Sequence, residues 1–432
     1  MRDLFVTIVV FGALPIVFKR PYWGAVLWIW ISVMNPHAQG WGFARSFPFA
    51  ALIAATTLVS LVITKEDKKL PMPPVIVLFI LFFFWMSLTA ITGLHPEINY
   101  DQWNKVLKIW FMTLVVLALL KKREHITAII WSIVISIGYY GVKGGVFTIR
   151  SGATERVWGP AGTFIDGNNE VALAFVMVIP LMYYLMTLTK QRYYRIAFMV
   201  SMVLCALSAL GSYSRGAMLA VVAMGAFLWL KSKEKVTVGL SLILITPVLL
   251  AAMPAKWFER MDTINEYKED ESAMGRVNAW KMAINLAQDR PLGGGFQIYD
   301  YLTFQKYAPV PEDVHAAHSI YFQVLGEHGF IGLAIYLAIG FLTWRTCSAV
   351  IKLTKLEPDL KWAFNLSLMI QVSLLGFAVG GAFLSLAYFD VPYYLMVAIV
   401  ATKLVVEREL APAAKIVKPV APIGGRARKE TV

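Results

Sequence analysis

Residues 74–93 read PVIVLFILFFFWMSLTAITG, without one charged side chain. A helix needs about 20 residues to cross the hydrocarbon core of a bilayer. A run of that length with no polar face reads as a membrane span, not as one side of a soluble helix. Working outward, comparable apolar blocks fill 3–18, 22–36, 47–64, 105–120, 124–143, 169–189, 194–211, 215–231, 236–253, 318–344, 362–386 and 389–406. The first two are short for a full crossing. The expectation is an all-α, polytopic integral membrane protein with 12 or 13 transmembrane helices in one membrane domain over 1–406.

Composition points the same way. The 432 residues are 58% hydrophobic and only 16% charged, against roughly 25% charged in soluble domains. The net charge of +13 is spread in short clusters between apolar blocks. That pattern suits loops at an anionic membrane face and argues against a nucleic-acid partner. Cys205 and Cys347 fall in or beside apolar blocks, which argues against a disulfide framework. The first apolar run is followed by Lys19-Arg20 and not by a cleavage site, so it reads as a retained segment.

The basic clusters fall at every second connection: 19–20, 65–69, 121–123, 190–195, 231–235 and 345–361. The tail over 407–432, with Arg426, Arg428 and Lys429, continues the series and reads as basic, cytoplasmic and disordered. By the positive-inside rule these segments are cytoplasmic. The alternate connections, 37–46, 94–104, 144–168, 212–214 and 254–317, are then outside. The last is the one long break in the apolar pattern, and a loop of that length is usually functional or disordered. It carries charges of both signs over 256–271, an amphipathic run over 277–287, a glycine turn at 293–295 and two histidines before the next span.

Within these outer segments a few residues stand out. Arg215 follows Ser212-Tyr213-Ser214 at a junction of two spans. It either snorkels to the interface or holds an anion through its fork of donors at a helix start. Gly275-Arg276 is expected to open the amphipathic helix, which either lies on lipid or binds an anion. Arg150 and Arg156 add two further cations in the 144–168 loop. His318 begins a span, and His315 is expected one helical turn before it. A neutral imidazole there suits general-base chemistry near pH 7. The His-x-x-His spacing lacks a third ligand nearby, so no metal is expected. The glycine turn lacks the Lys-Ser/Thr of a phosphate loop and reads as a flexible turn. Glu327 is costly inside a span and is therefore paired or functional.

Ser214-Arg215-Gly216-Ala217, Gly275-Arg276 with Trp280, and His318 before Leu325-Gly326-Glu327-His328-Gly329 resemble the O-antigen ligase and polymerase superfamily. The stretches 159–180 and 273–332 look closest to its O-glycosylation ligase branch. Ser319 departs from the asparagine that usually follows the family's histidine. The resemblance implies a GT-C-like glycosyltransferase without metal or other cofactor, multi-pass in the bacterial inner membrane, with its site and large loop facing the periplasm. Its implied partners are an undecaprenyl diphosphate-linked glycan as donor, lipid A-core as acceptor, and membrane lipid. Carried over by position, Arg215 and Arg276 would bind the diphosphate and His318 would act on the acceptor, which makes His318 and Arg215 the expected catalytic residues; Arg276, Arg156, Arg150 and His315 are the expected substrate-binding ones. A ligase is the favoured member. A polymerase or a protein O-glycosylation ligase is the alternative within the superfamily, and a lipid-linked sugar transporter the alternative outside it. A transporter should show internal repeats and mid-membrane charges, whereas no repeat is evident and the polar residues cluster at one face.

Overall fold

A computed structural model describes residues 1–65, 68–232, 234–262 and 271–411. The charged run at 263–270 and the tail from 412 onward lie outside the described residues. Sixteen α-helices follow in order among the described residues. They are α1 (Arg2–Lys19), α2 (Tyr22–Ile29), α3 (Phe49–Ile63), α4 (Pro74–Ile91), α5 (Pro96–Leu119), α6 (Arg123–Arg150), α7 (Asn168–Leu188) and α8 (Arg192–Gly211). Then come α9 (Arg215–Lys231), α10 (Lys235–Leu250), α11 (Ala255–Asp262), α12 (Glu271–Asp289), α13 (Tyr301–Tyr307), α14 (Ile320–Thr354), α15 (Lys361–Gly381) and α16 (Asp390–Leu410). No strand occurs among these residues.

The protein is a polytopic membrane protein. Six helical segments among the described residues are long and apolar enough to cross a bilayer: α4, α6, α7, α8, α14 and 358–381. That is fewer than the 12 or 13 expected. Tyr22–Met34 and Phe49–Ile63 are apolar but shorter. α9 and α10 stop at 17 and 16 residues. Two outer connections are also shorter than expected, because α5 already starts at Pro96 and α6 runs on to Arg150.

In lipid, helices associate through close packing and not through hydrophobic drive, so small residues set the seams. α6 shows this with Gly141 and Gly145 against α8. A Cβ on Gly145 would lie 2.2 Å from the Leu204 carbonyl oxygen, and one on Gly141 2.3 Å from Cys205 Sγ. α15 packs between α7 and α9, and α14 packs against α4, α12 and α15. α16 is buried along nearly its whole length and fills the centre of the bundle.

The connections separate by charge. At one end Lys121 Nζ donates to the Lys69 carbonyl at 2.7 Å, and Arg123 lies over the Trp362 ring. At the other end Asn168 Nδ2 donates to the Ser212 carbonyl at 2.8 Å, and Arg290 reaches the Thr92 carbonyl at 2.7 Å. The 144–168 and 212–214 connections thus meet, and so do 94–104 and 254–317, through the Leu94 N–H and the Gly294 carbonyl.

The 254–317 connection is largely helical. α12 buries Ala279, Met282, Ala283, Leu286 and Ala287 completely, against α13 and α14. The helix therefore belongs to the protein core through one face. It begins at Glu271, so Gly275 and Arg276 lie inside it and do not open it.

The glycine turn is not flexible either. α14 breaks at Gly329, whose φ of 68° and ψ of −173° are not helical. A break at this depth strips the preceding carbonyls of their partners, and nothing in lipid replaces them. The 293–295 turn supplies the donors. Gly294 N donates to the Gly326 carbonyl and Gly295 N to the Glu327 carbonyl, both at 2.9 Å. Trp85 Nε1 takes the His328 carbonyl, also at 2.9 Å. The approach is so close that a Cβ on Gly329 would lie 2.0 Å from the Pro291 carbonyl oxygen. Of the three glycines, Gly293 is the one required by the kink, since a Cβ there would lie 2.5 Å from Gly329 N, whereas Gly294 and Gly295 make room for Ile298 and Asn99.

Candidate functional site

Four helix starts and one helix end converge at the polar end of the bundle. The segment 310–318 is held over α12 by Asn278, whose Nδ2 donates to the carbonyls of Val310 and Asp313 at 2.8 and 3.0 Å. Asn278 Oδ1 accepts the Val310 N–H at 3.0 Å. Trp280 Nε1 donates to the Ala317 carbonyl at 2.7 Å while its ring stacks on Phe322 at 4.9 Å. Gly275 leaves room for the His315 ring: a Cβ there would come within 2.4 Å of Nε2. The sequence pairing Gly275-Arg276 is explained by this contact, with the small residue under the imidazole and the arginine beside it.

His315 and His318 are not one helical turn apart. They lie in irregular backbone, and the helix starts only at Ile320. His318 has φ +41°, a conformation rare for a residue with a side chain. Its N–H donates to Ser385 Oγ at 2.9 Å. Its Nδ1 is buried and has no hydrogen-bond partner among the described residues. Burial, then the charge of Arg276, then His315 hold the imidazole down at a pKa of about 4. His315 Nε2 lies 2.7 Å from Asp313 Oδ1.

Arg276 acts electrostatically on Glu170 as well as on His318, so it faces the start of α7. Glu170 folds back over Gly167, where a Cβ would meet its Oε2 at 2.0 Å. Arg215 is the first residue of α9, whose N-cap Ser214 accepts the Ala217 N–H at 3.2 Å. It is half-buried, and its neighbour Gly216 packs on the Phe383 Cβ and Gly380 carbonyl. The start of α9, which carries Arg215, and His318 therefore both border the turn after α15, one through Gly216 by Phe383 and the other by Ser385.

Arg156 is exposed, with its guanidinium 5.8 Å from the ring centre of Tyr213, next to that corner. Tyr213 is pinned at φ +59° and donates its hydroxyl to the Ala153 carbonyl at 2.6 Å. Arg150 is exposed at the end of α6 and makes none of these contacts. Of the six residues singled out from the sequence, the fold gathers Arg276, His315 and His318, sets Arg215 across the same turn, leaves Arg156 at its edge and leaves Arg150 outside.

Two neighbours went unmarked in the sequence. Ser385 sits 67 residues beyond His318, with nothing local to announce the contact. Glu170 was visible only as part of a polar connector, although an acid in the first turn of an apolar helix was a usable signal.

Glu327 lies one layer deeper and is fully engaged. It accepts hydrogen bonds from the Tyr388 hydroxyl and from Gln297 N at 3.4 Å. His328 Nε2 meets the same hydroxyl at 2.7 Å, and its Nδ1 lies 2.6 Å from Thr89 Oγ1. This buried network braces the α14 kink. Beside the site an apolar groove of about 270 Å³ starts at Ile320 and Tyr321 and continues past Leu337, Phe341 and Trp344.

These features define a polytopic membrane protein whose histidine and arginines converge at one end of the bundle. Residues 200–337 match the family model described as O-Antigen ligase, which supports membership of the O-antigen ligase and polymerase superfamily. That segment contains Arg215, Arg276, His315 and His318. Residues 1–190 match a second model, described as a family of unknown function (DUF5935), and contribute Glu170 and Arg156. No curated protein matches the chain.

Proposed function

We propose that the chain is an O-antigen ligase, which transfers a glycan from undecaprenyl diphosphate to a sugar hydroxyl of lipid A-core at the periplasmic face of the inner membrane. The observation that carries this reading is the buried, unpartnered Nδ1 of His318, set beside Arg276 and His315. A polar atom left bare in a protein-built site is costly unless a ligand completes it.

In the reaction the acceptor hydroxyl loses its proton to His318 as its oxygen attacks the anomeric carbon. The bond from that carbon to the diphosphate oxygen breaks, and the diphosphate leaves with the electron pair. Arg215 and Arg276 hold the departing charge, which needs stabilisation more than a proton. A single displacement inverts the anomeric centre. A double displacement would require a carboxylate nucleophile at the reacting carbon, and Glu327 is committed to the kink. The apolar groove beside Ile320 suits the polyprenyl chain.

The test uses purified protein with an undecaprenyl diphosphate-linked glycan and three acceptors: lipid A-core, a second lipid-linked glycan and an acceptor protein. Ligase activity elongates lipid A-core, with EDTA present or absent. Elongation of the glycan or the protein instead would identify a polymerase or a protein ligase. Activity lost to EDTA and restored by one divalent ion would overturn the metal-free mechanism.

A further inference from the structure

A second cavity, lined by cations and indoles, is built by parts of the chain far apart in sequence. It has a volume of about 490 Å³ and is bordered by Arg2, Trp41, Arg45, Lys143, Arg156 and Trp158. Sites for small ligands typically occupy roughly 300–1,000 Å³. Four cations from α1, the 36–45 segment, α6 and the 151–167 connection face one space. The acid on this wall is Asp3, and its Oδ1 is taken by the N–H groups of Gly42 and Ala44, both at 3.2 Å. Arg2 is steadied by the Gln39 carbonyl at 3.2 Å, and Gln39 donates to Tyr140 at 2.6 Å. Trp41 and Trp158 are 93% and 63% exposed, so their ring faces are open to a ligand.

We infer that this cavity is a subsite for an acidic saccharide, one carrying carboxylate or phosphate groups. Like charges lining one space repel, and an anion between them relieves the repulsion. The alternation of basic loops also puts all four on the side that the positive-inside rule depletes of Lys and Arg. Anchoring therefore does not explain them. Guanidinium groups pair with carboxylate or phosphate through two parallel donors. Indole faces, amphipathic and flat, suit the C–H faces of sugar rings. Arg156, between this cavity and the ring of Tyr213, connects the subsite to the corner that holds Arg215. The inference rests on the transferase reading only for the physiological identity of the sugar, because binding is measured without transfer.

The test is calorimetric titration of the full chain in zwitterionic nanodiscs with tetragalacturonate, against neutral maltotetraose. The acidic tetramer should bind about tenfold or more tighter, as two charge-assisted contacts imply, and weaken as salt rises. The double variant R45A/K143A should lose that preference, and so should the charge reversal R45E/K143E. Trp158→Ala should weaken both sugars. Equal binding of the two tetramers, or unchanged binding by both double variants, would overturn the proposal. So would full displacement of tetragalacturonate when phosphatidylglycerol is added to the disc, which would make the cavity a lipid-headgroup site. Failed transfer with intact binding would count against the transferase reading alone.

Discussion

His318 combines three features that a merely structural histidine would not need: a left-handed backbone, a buried bare nitrogen and a cationic neighbour. Residues held at positive φ persist only where the surroundings over-determine them, and they cluster at working sites. Here the Ser385 hydroxyl and the Trp280 grip on Ala317 do the holding. If His318 takes the acceptor proton, His318→Ala should lower single-turnover transfer by about 10²–10⁴-fold while leaving donor binding nearly intact. A variant that keeps more than about a tenth of the rate, outside that range, would falsify the base assignment. The pH profile should carry a second mark. A depressed pKa keeps the imidazole neutral, hence able to accept a proton, until the pH falls to about 4. The acid limb of kcat/KM, which reports the free enzyme, should therefore sit near 4 and not near 6.5. A bound diphosphate offsets Arg276, so the limb of kcat should lie higher than that of kcat/KM. Coincident limbs would show that no anion reaches the pair. For the arginines, Arg215→Lys and Arg276→Lys should recover little of what Ala substitution loses, because a point charge lacks the bidentate fork. Full activity in both lysine variants would reduce them to simple charges.

At the scale of elements, the kink in α14 is the device that connects the site to the bundle. It lets Ile320–His328 turn away from the rest of the helix, and it opens carbonyls that only an inserted turn can satisfy. Gly293 makes that turn thin where it faces the kink, and the N–H groups of Gly294 and Gly295 reach the carbonyls. Gly329→Ala adds a Cβ at positive φ and 2.0 Å from the Pro291 carbonyl oxygen. The strain alone is about 1–3 kcal/mol, and the overlap adds to it. The variant should melt lower in detergent than Gly340→Ala, since no atom lies within 4 Å of a Cβ at Gly340. Equal melting of the two would mean that the turn does not clamp the kink. The sequence showed the glycines but not this use, because their partners lie about thirty residues away and no period connects them.

Across the whole molecule, the division of charge between the two ends makes a topological prediction. Reporter fusions at Lys68 and Lys355 should be cytoplasmic, and fusions at Thr154 and Glu312 periplasmic. A cytoplasmic Glu312 would remove the basis for a periplasmic site. The sequence alone determined that the chain is helical and membrane-embedded, because apolar length and loop charge are local quantities that lipid and water read directly. It also marked Arg215, Arg276 and His318, since each departs from its own surroundings. Only the tertiary structure decided which of them meet. His318 meets Ser385, Arg276 faces Glu170, and Arg150 is left outside. Helix packing in lipid is set by the shapes of small-residue seams, which bring distant segments together without leaving a repeating trace in either one.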